Sequence, residues 1–391
     1  MFEQVEKIAS DLRSGRLKGV FIDSRKVVPN SLFVAINSGY LYAEDALKKG
    51  ASIVAVEKVE KTLPAEGVLR VGSTKAFLIE LAKACRRRFN GKLIGITGSS
   101  GKTTVKDMLA FALSQLGERC SCSIGNYNNE IGLPLSVCNC DYNDEIWVLE
   151  LGISRPNDMD LLVDIAMPDV AVITNIGPSH TEFLGDERGV WIEKSKIARY
   201  ADVLFLSEQA RPFYEDIGLA GFNGKVVFSP QDEGGLLNES LVVRLLSYLL
   251  SRDVKIDWSG FKSAPHRFEI IENDGRLIVD DSYNANPLSM QASLRRFTEL
   301  AGRKKRILLV LADMLELGEN MEEMHLQVLK LAKSLLPNAD FILVGDVFNR
   351  VAQGVVSDLI PFEGGSLRRH IREYDAVFLK GSNRFRLWEM V

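Results

Sequence analysis

A chain of 391 residues exceeds what one hydrophobic core usually serves, so two or three domains are expected. With 46% hydrophobic and 26% charged residues it reads as an ordinary soluble globular protein, and a net charge of −4 argues against broad nucleic-acid binding. No apolar run approaches the length of a membrane span, and the opening MFEQVEKIASDLRSG reads as an amphipathic helix rather than a signal peptide, so a cytoplasmic protein is expected.

Five cysteines make an odd count, which fits a reducing compartment. Four of them form two C-x-C pairs, Cys120/Cys122 and Cys138/Cys140. Both pairs read as strand residues sharing one face, so buried thiols are expected rather than a structural zinc.

The first unit, residues 1–88, shows short strands at 20–23 and 32–36, a helix at 43–50 ended by Gly50, a strand at 52–56 and a helix at 73–89. Alone it shows no catalytic constellation. The second unit, 89–258, alternates apolar strands (93–97, 146–151, 170–174, 203–206, 225–228) with helices (102–116, 158–165, 190–200). That alternation predicts a mostly parallel sheet covered on both faces, with ligands at the carboxyl ends of its strands. The third unit, 259–391, opens with a hairpin, 267–272 and 276–280, turning at Asn273-Asp274-Gly275. A helix (289–300), a strand (307–311), a helix (321–335) and strands at 341–344 and 376–379 complete a second α/β sheet. The expected class is therefore α/β in three domains: a small mixed N-terminal one, a central parallel-sheet one carrying a phosphate loop, and a C-terminal one.

The most informative stretch is LIGITGSSGKTTVKDMLAFALSQL, a buried strand, a Gly/Ser turn and a helix opening at Lys102. Glycines let the backbone approach phosphates, and amides at a helix N-terminus point at them. Lys102 is placed to neutralise phosphate charge and the Thr103 hydroxyl to ligate Mg²⁺. The general phosphate loop wants a glycine where Ile96 stands, so this is a shorter G-x-x-G-K-T-T loop built on Gly98 and Gly101.

Other polar groups gather at strand ends. Glu150 closes the strand in WVLELG, where a carboxylate facing a phosphate loop suits Mg²⁺. His180 follows the strand DVAVITN and the turn GPS, and imidazole can ligate a metal. Lys194 and Lys196 lie on the next helix, where a lysine is ordinarily a solvated charge. GNYNNEIGLPLS is rich in Asn, which both donates and accepts; a ligand loop and a plain turn cluster weigh equally there. In the third unit DDSYNANPLSM concentrates carboxylates, amides and a tyrosine between a strand and a helix. Arg267 in APHRFE suits phosphate or adenine stacking. KGSNR, at 380–384, offers a lysine, a hydroxyl and backbone amides to a carboxylate.

Taken together, GITGSSGKTT, NYNNEIGLPLS, LELG, PDVAVITNIGPSHTEFLG, EKSK, DDSYNANPLSM and LADMLELGE resemble the Mur ligases of peptidoglycan synthesis, in order and over nearly the whole chain. The resemblance implies a UDP-sugar-binding domain (1–88), a central ATPase domain (89–258) and a Rossmann-like C-terminal ligase domain (259–391). It implies ATP-dependent amide formation between UDP-N-acetylmuramoyl-tripeptide and D-Ala-D-Ala through an acyl phosphate, with two Mg²⁺ ions, in a cytoplasmic monomer. It implies that Gly98, Ser99, Ser100, Gly101, Lys102, Thr103, Thr104, Arg267, Asp281 and Asn284 bind ATP. It implies Thr103, Glu150, His180 and Lys196 at the metals, with Lys196 carbamylated in preference to Lys194, and Lys102, His180 and Lys196 as the catalytic set. Asp23, Ser24, Arg25, Asn128, Asn129, Lys380 and Ser382 are implied at the substrates. Two departures stand out: NSGYLYAEDAL replaces the family's usual D-G-H segment, and KGSN replaces K-G-S-R, with Arg384 one place late. The alternatives are another amide ligase of the family, such as a single amino-acid-adding enzyme or a folylpolyglutamate synthase, or a nucleotide-binding switch without catalysis.

Overall fold

A computed structural model describes residues 2–58, 64, 66–230, 238–273, 275–302, 304–356, 359–361 and 370–390. The hairpin turn residue Asp274 lies outside them. The N-terminal part runs α1 (Phe2–Arg13), β1 (Val20–Phe21), β2 (Ser31–Val34), α2 (Ala43–Lys48), β3 (Ala51–Val56), β4 (Val68–Arg70) and α3 (Thr74–Arg87). Its four strands pair in parallel in the order β1-β2-β3-β4.

The central part contains β5 (Lys92–Thr97), α4 (Lys102–Gln115), β6 (Cys120–Cys122), α5 (Gly132–Asn139), β7 (Ile146–Glu150), α6 (Asp158–Ala166), β8 (Val170–Ile173), α7 (Thr181–Leu184), α8 (Glu187–Ser195), β9 (Val203–Ser207), α9 (Arg211–Ile217), β10 (Lys225–Ser229) and α10 (Glu239–Leu249). Its six strands are all parallel, in the order β10-β9-β8-β5-β7-β6. The strand order reverses at β5: β6 and β7 lie on one side and β8 to β10 on the other. The loops after β5 and β8 therefore meet at the carboxyl edge, at the switch point where an open α/β sheet binds ligands. Strand β5 is buried from Leu93 to Thr97, as expected for a strand covered on both faces.

The C-terminal part contains β11 (Glu269–Asn273), β12 (Arg276–Asp281), α11 (Pro287–Ala301), β13 (Ile307–Ala312), α12 (Met321–Leu335), β14 (Asp340–Val344), α13 (Asp346–Val351) and β15 (Ala376–Lys380). The sheet order is β11-β12-β15-β13-β14, with β11 antiparallel to β12 and the rest parallel.

The first two sheets are not independent bodies. One apolar core runs from α1 and α3 of the N-terminal part into α5, α6 and one face of the central sheet, through Leu81, Leu135, Leu162 and Trp147. Buried Arg86 of α3 donates to the carbonyls of Ala166 and Met167 and pairs with Asp169 at 2.9 Å. A charge removed from water needs such partners, so α3 is tied to the end of α6.

Two local expectations are corrected. The segment carrying Cys138 and Cys140 is the end of α5, not a strand, while Cys120 and Cys122 do lie on edge strand β6; all five cysteines are free thiols. The helix expected at 190–200 begins earlier, because the Asp186 carboxylate accepts from the Gly189 amide and caps α8 at Glu187. After Ser195 it tightens into a 3₁₀ turn, Lys196–Tyr200.

Candidate active site

The carboxyl edge of the central sheet faces the C-terminal part across a cleft of about 540 Å³. The phosphate loop forms its floor. Gly98, with φ 148°, passes so close to Thr174 that a Cβ there would collide with the hydroxyl. Gly101, at φ 78°, makes the left-handed turn into α4. Loop and neighbouring strand end are laced together: Ser99 and Ser100 amides donate to the Asn175 carbonyl and side chain, and the Thr174 hydroxyl donates to the Ser100 carbonyl at 2.6 Å.

Lys102 folds back on this loop, its ammonium 2.7 Å from the Gly98 carbonyl. Desolvation in the cleft floor, with the Arg267 charge nearby, holds its pKa down to about 8 despite the attraction of Glu150. Between about 8 and the usual lysine value the unfolded chain therefore binds the extra proton, so stability rises with pH through that window. Phosphate oxygens favour the ammonium, so nucleotide binding above pH 8 should take up one proton. Calorimetry of ADP binding at pH 8.5, in two buffers of different ionisation enthalpy, should show that uptake. The Lys102→Met variant should not.

Glu150 ends β7 fully buried. Its Oε2 accepts from the Asn128 side chain at 3.3 Å, and its backbone amide donates to the Ser123 hydroxyl. Its Oε1 accepts no hydrogen bond, and the Lys106 ammonium lies 3.7 Å from it. Lys106 is itself buried and donates to the carbonyls of Ser123 and Gly125. Thr103 is buried and Thr104 half-buried beside them, and both line the cleft. An orphaned, buried carboxylate oxygen and a threonine hydroxyl lining the same cleft are a fitting donor set for a hard divalent cation.

The opposite wall comes from the C-terminal part. The Arg267 guanidinium lies over the Tyr283 ring, 3.9 Å from its centre. The Asn286 side chain caps α11 through the Ser289 amide and also donates to the Ser99 carbonyl at 2.9 Å, fastening α11 to the phosphate loop. Asn284 lines the cleft. Asp281 is consumed internally: it accepts from the Phe268 amide, the Ser293 hydroxyl and the Lys380 ammonium. Lys380, buried, also reaches the Asn284 carbonyl at 3.2 Å.

His180 borders the cleft from a left-handed backbone position, φ 56°. Its Nδ1 lies 2.5 Å from Oε2 of Glu316, in the LADMLELGE segment of the C-terminal part. Lys196, in the 3₁₀ turn after α8, does not line the cleft. Its ammonium is 2.6 Å from both Asp160 and Glu193, which outweigh partial burial and raise its pKa. Lys194 is 1% exposed, and its carbonyl accepts from the Lys196 amide at the end of α8. Burial, with the Lys102 charge adding to it, pushes its pKa well below the usual lysine value.

Residues 96–211 match the Mur ligase middle domain, and residues 266–382 match the Mur ligase glutamate ligase domain. The UDP-N-acetylmuramoyl-tripeptide--D-alanyl-D-alanine ligase of Bacillus subtilis is 33% identical over 79% of this chain and 76% of its own length. This chain belongs to the Mur ligase family. The Synechocystis enzyme of the same name is 28% identical over 99% of this chain and 93% of its own. The crystal structure of MurF ligase from Thermotoga maritima in complex with ADP superposes with a TM-score of 0.81 at 26% identity, covering 97% of both chains.

Within this Mur ligase, the structure gathers Ser99, Ser100, Gly101, Lys102, Thr103, Thr104, Asn128, Asn129, Glu150, His180, Arg267, Asp281, Asn284 and Lys380 around one cleft. It does not bring Asp23, Ser24, Arg25, Lys196 or Ser382 into the cleft lining. Asp23 spends its carboxylate on Arg25, Ser24 is buried in the turn between them, and none of the three lines the cleft. Asn129 spends its side-chain oxygen on the amides of Ile131 and Gly132, starting α5, as a turn residue does. Lys380 is paired with Asp281, so neither is a free charge for a ligand, and Ser382 is buried with its amide on the Asp313 carbonyl, outside the cleft lining. Lys196, implied at the metals, has its ammonium on the carboxylates of Asp160 and Glu193 and does not line the cleft.

The sequence reading missed Lys106, Asn175, Asn286 and Glu316. Lys106 stands one helical turn after Lys102, so the i, i+4 spacing on α4 was an available signal. Asn286 was visible as the residue before Pro287, an N-cap followed by proline. Nothing local marks Asn175 or Glu316, because their partners lie on other elements.

Proposed function

We propose that this Mur ligase joins D-Ala-D-Ala to UDP-N-acetylmuramoyl-tripeptide with cleavage of ATP to ADP and phosphate. The observation that carries the reading is a single cleft lined by the phosphate loop on one wall and by Arg267 and the DSYNANP segment on the other. The relatives named for that activity, at 28% to 33% identity, support it.

A carboxylate is a poor electrophile, because its leaving group would be oxide. The tripeptide carboxylate oxygen attacks the γ-phosphorus, the bond to ADP breaks, and an acyl phosphate forms. The amine of D-Ala-D-Ala then adds to the acyl carbon, loses a proton, and phosphate departs. Lys102 leaves the Gly98 carbonyl to meet the transferring phosphoryl group, and helix α4 directs its first amides at the same charge. Arg267 is placed for the nucleotide. Asn286, bridging to Ser99, helps the C-terminal part shut water away from the acyl phosphate.

Thr103, Glu150 and His180 would hold Mg²⁺, for which the unpartnered Glu150 Oε1 is the fitting donor. The ions would neutralise phosphate charge as it moves toward the acyl oxygen. We place the carbamylated lysine at Lys194: a buried amine pushed toward neutrality can add to CO₂ and release a proton, leaving a carboxylate-like ligand. The free cysteines, and the lack of any helix long and apolar enough to cross a membrane among the described residues, support a cytoplasmic place of action.

The test is ADP release with UDP-N-acetylmuramoyl-tripeptide and D-Ala-D-Ala, each omitted in turn. Release is expected only with both present. Equal release with a single amino acid, or with a folate and glutamate, overturns the reading in favour of another amide ligase. ATP hydrolysis insensitive to every acceptor favours a nucleotide switch.

A further inference from the structure

The segment LADMLELGE lies outside the chemistry above, yet it makes the closest polar contact between the C-terminal part and a cleft residue of the central sheet. Glu316 Oε2 is 2.5 Å from His180 Nδ1. Around that contact the Thr181 hydroxyl donates to the Leu317 carbonyl at 3.0 Å, and the Glu182 amide donates to the Glu316 carbonyl at 3.3 Å. Gly318 packs onto the same strip, where a Cβ would sit 3.3 Å from the Glu182 backbone.

Both partners are held in an uncommon backbone state. His180 has φ 56° and Glu316 φ 61°, left-handed conformations that a side chain disfavours. Non-glycine residues keep such angles only where surrounding structure over-determines them, and such sites cluster at functional positions. Here two of them face each other across the seam between two sheets.

We propose that Glu316 is a positioning residue that sets the His180 ring for metal ligation, so that the metal site is complete only when the C-terminal part is docked. A carboxylate accepts and does not donate, so the proton of a neutral His180 resides on Nδ1. Nε2, which has no protein partner among the described residues, keeps its lone pair for a cation. A carboxylate behind a ligating histidine fixes its tautomer and ring orientation. Because Glu316 and Asn286 both come from the C-terminal part, one docking movement sets the histidine and seals the phosphate loop. The proposal rests on the reading of His180 as a metal ligand.

The test uses the full chain with Mn²⁺ as probe, in the presence of a non-hydrolysable ATP analogue. Mn²⁺ affinity is read by electron paramagnetic resonance, and the His180 tautomer by ¹⁵N NMR. Glu316→Ala is expected to weaken Mn²⁺ binding roughly 10- to 100-fold and to mix the tautomers, with metal-free analogue binding unchanged. Glu316→Gln, whose amide oxygen still accepts from Nδ1, should restore the tautomer and most of the affinity. His180→Ala should weaken Mn²⁺ at least as much, and adding Glu316→Ala to it should change nothing further. If His180→Ala weakens Mn²⁺ while Glu316→Ala leaves both affinity and tautomer intact, the positioning role is overturned and the ligand role survives. If His180→Ala leaves Mn²⁺ affinity unchanged, the ligand reading fails and the proposal with it.

Discussion

Lys102→Ala should lower the rate of ADP release by roughly 10³-fold, equivalent to about 4 kcal/mol of lost transition-state stabilisation. The magnitude follows from position. Lys102 is the phosphate-loop cation at the mouth of α4, and desolvation around it strengthens each charge interaction it makes. The folded state should be slightly stabilised at neutral pH, since the variant removes an ammonium whose burial is unfavourable. The measurements are steady-state phosphate release, substrate binding by calorimetry and the thermal midpoint of each protein. Release in the variant within a few-fold of the parent would remove Lys102 from the transfer step.

The second large effect separates two neighbouring lysines. Lys194→Ala should cost 10²- to 10³-fold or so in turnover, whereas Lys196→Ala should cost no more than a few-fold. Lys196 spends its charge on Asp160 and Glu193, at the outer face of the 3₁₀ turn, so its loss should show mainly as about 1 kcal/mol of stability. Lys194 is buried, and burial, which disfavours the ammonium, pushes its pKa well below the usual lysine value. With ¹³C-bicarbonate the parent protein should show one carbamate carbon resonance, absent from Lys194→Ala and retained in Lys196→Ala. A small carboxylate such as acetate should partly restore turnover to Lys194→Ala, by supplying the missing oxygens. A carbamate signal that survives Lys194→Ala, or a Lys196→Ala protein as inactive as Lys194→Ala, would reverse the assignment.

Those two lysines illustrate why part of the site was hidden in the sequence. EKSKI places both on one short segment, and composition treats each as a solvated charge. Two residues apart on a helix means roughly opposite faces, so only one can be buried. Which one depends on the helix register, set by the Asp186 cap, and on the carboxylates of α6. The loop GNYNNEIGLPLS shows the same division. Its asparagines do border the cleft, but Asn129 serves the start of α5 while Asn128 serves Glu150. Likewise DDSYNANPLSM was legible as a polar cluster. That Asp281 would be consumed by Lys380, and that Asn286 would clasp the phosphate loop, required the third sheet to be placed against the second.

The sequence by itself determined the local units. Apolar runs of strand length, Gly and Asn punctuation and helical periodicity located most strands, though not β4, and most helices, and the spacing G-x-x-G-K-T-T located the phosphate loop, because these depend on contacts within a few residues. Tertiary structure alone decided which polar groups are free to meet a ligand. Glu150 is left with an orphaned oxygen, Lys194 is buried, and His180 is met by a carboxylate 136 residues away. Burial and partner choice are set by elements distant in the chain, and no periodicity within one segment carries that information.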